Sequence, residues 1–216
     1  MERRGGVMQP SLLRVVLAAL GILASSLAYP EPPAPQTEDD EYTRYELLEP
    51  ATAAFRITYE VTATTPGATV FFNPIRKGST ATDEAVVDRL TGKPLVFDVV
   101  PGAVAKAQGL SDADLETSYI RITLARLVPK EGEARLLILK TYRDPKSYFA
   151  EGDRIVFSRS LGIKRNSVVL PPGYELVSLN VPSQVLSETD GRLAISFMNA
   201  GPSEAPLVVK AWRIVR

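Results

Sequence analysis

Neither cysteine nor histidine occurs in the 216 residues. Without cysteine there is no disulfide, no thiol nucleophile and no thiol for lipid attachment. Without either residue the usual ligand sets for zinc, haem and copper are missing, so no cofactor is expected. Hydrolases whose serine or cysteine nucleophile hands its proton to an imidazole are excluded as well. Tryptophan occurs once. An excess of charge is lacking too, with 25 basic residues against 25 acidic ones. Nothing in that balance calls for nucleic acid or an acidic membrane surface as a partner.

What is present begins with an address. Arg3, Arg4 and Arg14 precede an apolar run from Val15 to Ala28, shorter than the ~20 residues of a comfortable membrane span. Ser26-Leu27-Ala28 offers small residues where a signal peptidase checks, so residues 1–28 read as a signal peptide cleaved before Tyr29. A periplasmic or secreted protein is expected, and the absence of cysteine suits a bacterial envelope. Membrane contact is expected only through this leader, should it stay uncleaved. Residues 29–41 are rich in proline and acid, an extended and solvated spacer. Removing the leader leaves 188 residues with 22 basic and 24 acidic side chains, enough for one core.

From residue 42 to 216 the pattern is alternation broken by turn residues. Phe55, Ile57, Tyr59 and Val61 face one way, with Arg56, Thr58, Glu60 and Thr62 opposite. Ile120, Ile122 and Leu124 repeat the period, as do Leu193, Ile195 and Phe197. Leu136 to Leu139 is apolar on both faces and reads as a covered strand. Lys130-Glu131-Gly132-Glu133 and Asp190-Gly191 mark hairpins. Thr82–Leu90 fits a short helix or a strand, and Trp212 a plug in the core or at an edge. Many short strands and almost no helix predict an all-β fold, an antiparallel β-sandwich, with a barrel as second choice.

Three groupings carry candidate chemistry. Asp112, Asp114 and Glu116 alternate as calcium ligands do, but lack the glycine turn and closing glutamate of an EF-hand loop, and an acidic surface loop is the simpler expectation. Tyr142, Arg143 and Tyr148 mix aromatics with a cation, a composition suited to stacking on a sugar or gripping a carboxylate. Asp144 beside them suits a helical-turn cap or a pair with Arg143 or Lys146. Arg159, Lys164 and Arg165 flank Gly162 in the densest basic stretch, which suits an anion site or a charged sheet edge. No Gly-rich phosphate loop, nucleophile elbow or dinucleotide fingerprint appears.

Lys140–Phe149, Ser160–Asn166 and Leu170–Leu176 together resemble exported bacterial β-sandwich proteins with no assigned activity. The resemblance covers Tyr45 to Trp212. A more distant similarity is to the non-catalytic β-sandwich domain that precedes the catalytic domain of zinc aminopeptidases. The chain has no histidine and so lacks their zinc motif; that similarity implies architecture only. The expectation is a non-catalytic envelope module that engages a protein or glycan through end loops, using Tyr142, Arg143, Tyr148, Arg159, Lys164 and Arg165. The alternatives are a carboxylate-dependent glycosidase or lyase, and a structural subunit that assembles through edge strands.

Overall fold

A computed structural model describes residues 35–214; the expected export signal and the start of the spacer lie outside them. In chain order β1 is Glu38–Leu47, β2 Ala54–Ala63, β3 Val70–Pro74, β4 Thr80–Asp88 and β5 Phe97–Pro101. A short helix, α1, Gly102–Ala107, follows. Then come β6 Ser118–Thr123, β7 Ala134–Arg143, β8 Tyr148–Glu151, β9 Arg154–Leu161 and β10 Arg165–Val169. β11 Tyr174–Leu179, β12 Gln184–Ser187, β13 Leu193–Met198 and β14 Ala205–Arg213 complete the chain.

The strands form three sheets: seven strands in the order β12-β13-β10-β1-β2-β7-β4, four in the order β11-β14-β9-β8, and three in the order β3-β6-β5. Pairing is antiparallel except between β1 and β10. The alternation read in β2 becomes one buried face, and Tyr45, Phe55, Ile57, Val61, Leu136 and Ile138 carry it across three neighbouring strands. That face shares a core with Ile155, Phe157, Leu207 and Val209 of the four-stranded sheet. The same core takes in Phe71, Ile120 and Ile122 of the three-stranded sheet. One layer of the sandwich is therefore continuous, and the other is split in two. Phe157 clamps the layers, edge-on to Phe55 at 5.3 Å between ring centroids and tilted against Tyr45 at 5.7 Å. Such ring pairs contribute about 0.5–1.5 kcal/mol beyond the area they bury.

The three-stranded sheet has a second small core on its other side. Phe72, Val100 and Tyr119 meet Ala105 of α1 there, with Leu110 and Ala113 from the loop that follows. Gly102 opens this helix where a Cβ would lie 2.0 Å from the carbonyl oxygen of Asp114, so no larger residue fits.

Several local expectations need correction. Lys130–Glu133 does not close a hairpin. β6 pairs with β3 and β5, β7 pairs with β2 and β4, and the connection crosses between layers. It is tied down on the way, with Val128 N–H on Ala68 O and Gly67 N–H on Val128 O. Thr82–Leu90 is strand as far as Asp88. Trp212 is no plug: 44% exposed, it holds Glu175 through its indole N–H at 3.4 Å. β1 begins inside the stretch expected as spacer, with Glu38–Asp40 in register with Val61–Ala63 of β2. Just before it, the Gln36 side-chain amide spans the open edge of β3, accepting from Phe72 N–H at 2.9 Å and donating to Phe72 O at 3.0 Å. The Asp190-Gly191 turn does join β12 to β13.

Candidate functional site

Where the second layer splits, the continuous sheet is left partly uncovered. A cavity of about 470 Å³ lies there. Its floor comes from neighbouring positions on β1, β2 and β7. Tyr45 pairs with Ile57 and Ile57 with Lys140, while Thr43 pairs with Tyr59 and Tyr142 lies one step along β7. One wall is Asn73, Pro74 and Arg76, at the end of β3. The other is Arg159 to Ile163, at the end of β9. Arg76 straps the two walls together. Its side chain donates to Ser160 O at 3.0 Å, and its N–H to the Tyr142 hydroxyl at 3.2 Å. Glu38, Pro74, Arg76, Gly162 and Glu204 are exposed and form the mouth.

Two cations sit at positions where strand parity demands apolar residues. Arg159 follows Ile155 and Phe157 on the inward face of β9 and is 7% exposed. Lys140 follows Leu136 and Ile138 on the inward face of β7 and is 6% exposed. A buried charge is costly unless paired, and the two are treated differently.

Arg159 has a carboxylate. Its Nη1 donates to Asp144 Oδ2 at 3.1 Å, and its guanidinium lies 5.4 Å from the Phe55 ring centroid and 5.5 Å from that of Tyr142. Burial pushes the Arg159 pKa below its ordinary value, although an arginine so shifted still keeps its charge. Asp144 is held by a tight turn. Its Oδ1 accepts the N–H groups of Lys146 and Ser147, and its Oδ2 the hydroxyls of Ser147 at 2.6 Å and Ser79 at 3.2 Å. Burial pushes the Asp144 carboxyl up, but Ser147, Ser79 and Arg159 outweigh it and leave the carboxyl below its usual range. The expected pairing of Asp144 with Arg143 or Lys146 is thus replaced by one with Arg159, across the sandwich.

Among the described residues, Lys140 has no carboxylate within salt-bridge distance. Its ammonium donates to Asn73 Oδ1 at 2.6 Å and lies 5.0 Å from the Tyr142 ring centroid. Across β4 the register slips between Thr82 and Ala85, so Asp83 and Glu84 bulge opposite it, with Asp83 in the left-handed region. Burial first, then the charge of Arg159, pull Lys140 down to about 7, with Glu84 acting weakly the other way. Near neutral pH this lysine is therefore poised between its two forms. Among the described residues, three buried side-chain polar atoms have no hydrogen-bond partner: Arg159 Nε, Thr43 Oγ1 and Asn166 Oδ1. The first two belong to residues that line the cavity.

Of the residues singled out in the sequence, Tyr142 and Arg159 meet in this cavity. Arg143, of opposite parity, is exposed on β7. Lys164 and Arg165 are exposed at the turn into β10, outside the cavity lining. Tyr148 is fully buried, its hydroxyl donating to Leu48 O at 2.8 Å. The acidic alternation is occupied by a lysine: Lys77 Nζ contacts Asp114 at 2.9 Å and Glu116 at 3.2 Å. Lys140, Asn73, Thr43 and Tyr45 were not anticipated. The available signal was a lysine and an arginine sharing the parity of flanking core residues.

No protein-family model matches the chain, and neither does any curated protein. Among solved structures it is similar to an M1 zinc metallopeptidase from Deinococcus radiodurans, at a TM-score of 0.51 and 9% identity. The E323A mutant of that enzyme bound to a Tyr-Ser-Ala substrate gives 0.50 and 10%. Each match covers 81% of this chain and 42% of the metallopeptidase, so the chain spans less than half of those proteins. At such identities the likeness is one of fold. It agrees with the architectural similarity to zinc aminopeptidases expected from the sequence.

Proposed function

We propose that this protein is an exported, non-catalytic binding module of a bacterial envelope, taking its ligand in the seam cavity and at the loops beside it. The single observation that carries the reading is the cavity itself: concave, aromatic-lined, open at the mouth, and holding two buried cations. Sites of about 300–1,000 Å³ with a few convergent polar groups are the usual form of a ligand pocket. Lys164 and Arg165, near the Gly162 side of the mouth, would steer an anionic partner toward it. Tyr148 supports the wall from within the core.

The glycosidase alternative needs two carboxylates free for proton transfer. The cavity's own carboxylates, Glu38 and Glu204, stand exposed at its mouth rather than in the apolar setting a general acid needs, and among the described residues the buried carboxylates are Asp88 and Asp144. Both are occupied by turns: Asp144 as above, and Asp88 by accepting the N–H groups of Leu90 and Thr91. Assembly through edge strands has two edges of the large sheet to draw on: β4, whose pairing is broken by the bulge at Asp83 and Glu84, and β12, whose four residues are all exposed. A strand so short offers little edge to pair.

The test is titration of the isotopically labelled protein with solubilised envelope glycans and with envelope protein extract, followed by NMR. Shifts gathered at Tyr45, Tyr142 and residues 160–165 support the reading. Saturable binding that leaves those signals in place, or concentration-dependent oligomers in its stead, overturns it.

A further inference from the structure

The cavity holds one buried cation, Lys140, with which no carboxylate makes a salt bridge among the described residues. Asp144 answers Arg159, whereas Lys140 has only the neutral amide of Asn73 and the face of Tyr142. Two further observations point into the same space. Arg159 Nε and Thr43 Oγ1 belong to lining residues 7% and 1% exposed, and neither atom has a hydrogen-bond partner among the described residues. An unsatisfied buried polar atom costs about 1–3 kcal/mol, so a ligand reaching these two atoms would gain by satisfying them.

We infer that the seam cavity binds a hydroxylated organic monocarboxylate of the sugar-acid type, free or as the exposed end of a glycan. The inference rests on the binding-module reading and names its ligand. A carboxylate brings one negative charge to one uncompensated cation; a phosphate dianion would bring a surplus into a partly desolvated site. The two oxygens of a carboxylate match two donors from opposite layers, Lys140 Nζ and Arg159 Nε. Thr43, Asn73 and Ser160 line the same space and suit the hydroxyls of a sugar acid.

The charged groups facing Lys140 set the pH response. Arg159 acts from one wall and Glu84 from the β4 bulge, the Tyr142 ring lies against the ammonium, and Arg76, Glu38 and Glu204 stand at the mouth. An arriving carboxylate favours the protonated lysine, so binding takes up a proton. Affinity is then expected to fall about tenfold from pH 6 to pH 8.

The experiment is calorimetric titration of the full chain at low salt with galacturonate, galactose, inorganic phosphate and an oligogalacturonide. It is run on the unaltered protein and on Lys140→Met. Galacturonate is expected to bind at least tenfold more tightly than galactose or phosphate. Lys140→Met is expected to lose at least tenfold in galacturonate affinity while melting no lower. Binding of the oligogalacturonide at equal or greater affinity assigns a glycan end as the source; binding of the monomer alone assigns a free acid. Should Lys140→Met not fold, the pH profile of the unaltered protein decides: an affinity flat from pH 6 to pH 8 overturns the inference. Equal binding of galactose and galacturonate, with shifts at Tyr45 and Tyr142, overturns the carboxylate and leaves the module reading standing. No binding of galacturonate overturns the carboxylate whatever else the module captures.

Discussion

The two sides of the seam solve the same problem in opposite ways. On the β9 side a buried arginine is met by a carboxylate that a turn has already fixed, with two hydroxyls and two backbone N–H groups around it. On the β7 side a buried lysine is met by one amide oxygen and lies beside a sheet bulge. The first arrangement is closed and rigid, with its charges cancelled inside the protein. The second is left open at a cavity, and near neutral pH its lysine stands between the charged and the neutral form. The fold thus holds one buried ion paired inside the protein and a second, on the β7 side, beside an open cavity.

The sharpest way to break this comparison is to remove the carboxylate of the closed side. Asp144→Ala strands Arg159 in the core, and a urea denaturation curve should show a loss of about 3–5 kcal/mol. Because the Asp144 carboxyl is held below its usual range, the stability it contributes is present above the unfolded-state pKa. That contribution fades as acid protonates the carboxyl. The variant should accordingly be less sensitive to acid than the unaltered protein.

Removing the cation of the open side should do the reverse. Lys140→Met takes away an uncompensated charge and keeps the volume, and at pH 6 it should gain about 1–4 kcal/mol. The sign with pH is fixed. Above about 7 the folded lysine has shed a proton that the unfolded chain still carries, so the unaltered protein gains stability as pH rises. The advantage of Lys140→Met should shrink between pH 7 and pH 10. Denaturation midpoints across that range measure it.

Smaller changes sharpen the contrast. Ser79→Ala removes one hydroxyl from the Asp144 carboxylate and should cost about 0.5–1.5 kcal/mol in the same assay. Lys77→Ala breaks the exposed pairs with Asp114 and Glu116 and should leave the denaturation midpoint nearly where it was, with any difference vanishing in high salt.

Much of the fold was legible in the residues. Period-two alternation placed β2, β6 and β13, and Asp190-Gly191 placed a turn. What failed was pairing between distant strands: the Lys130–Glu133 break looked local, while the sheets place β6 and β7 in different layers. Of the site, Tyr142 and Arg159 were visible as chemistry but not as neighbours. Lys140 was passed over because it closes an apolar run, although Leu136, Ile138 and Tyr142 share its parity. The gap between the two smaller sheets, which makes the cavity, depends on long-range topology that no local spacing encodes.

The most direct measurement of the central claim is the titration of the Lys140 side chain by carbon-detected NMR, with and without galacturonate. A midpoint near 7 in the free protein, rising by a unit or more when the acid is bound, is the expected result. A midpoint at the ordinary lysine value of 10.5, indifferent to the ligand, would contradict it.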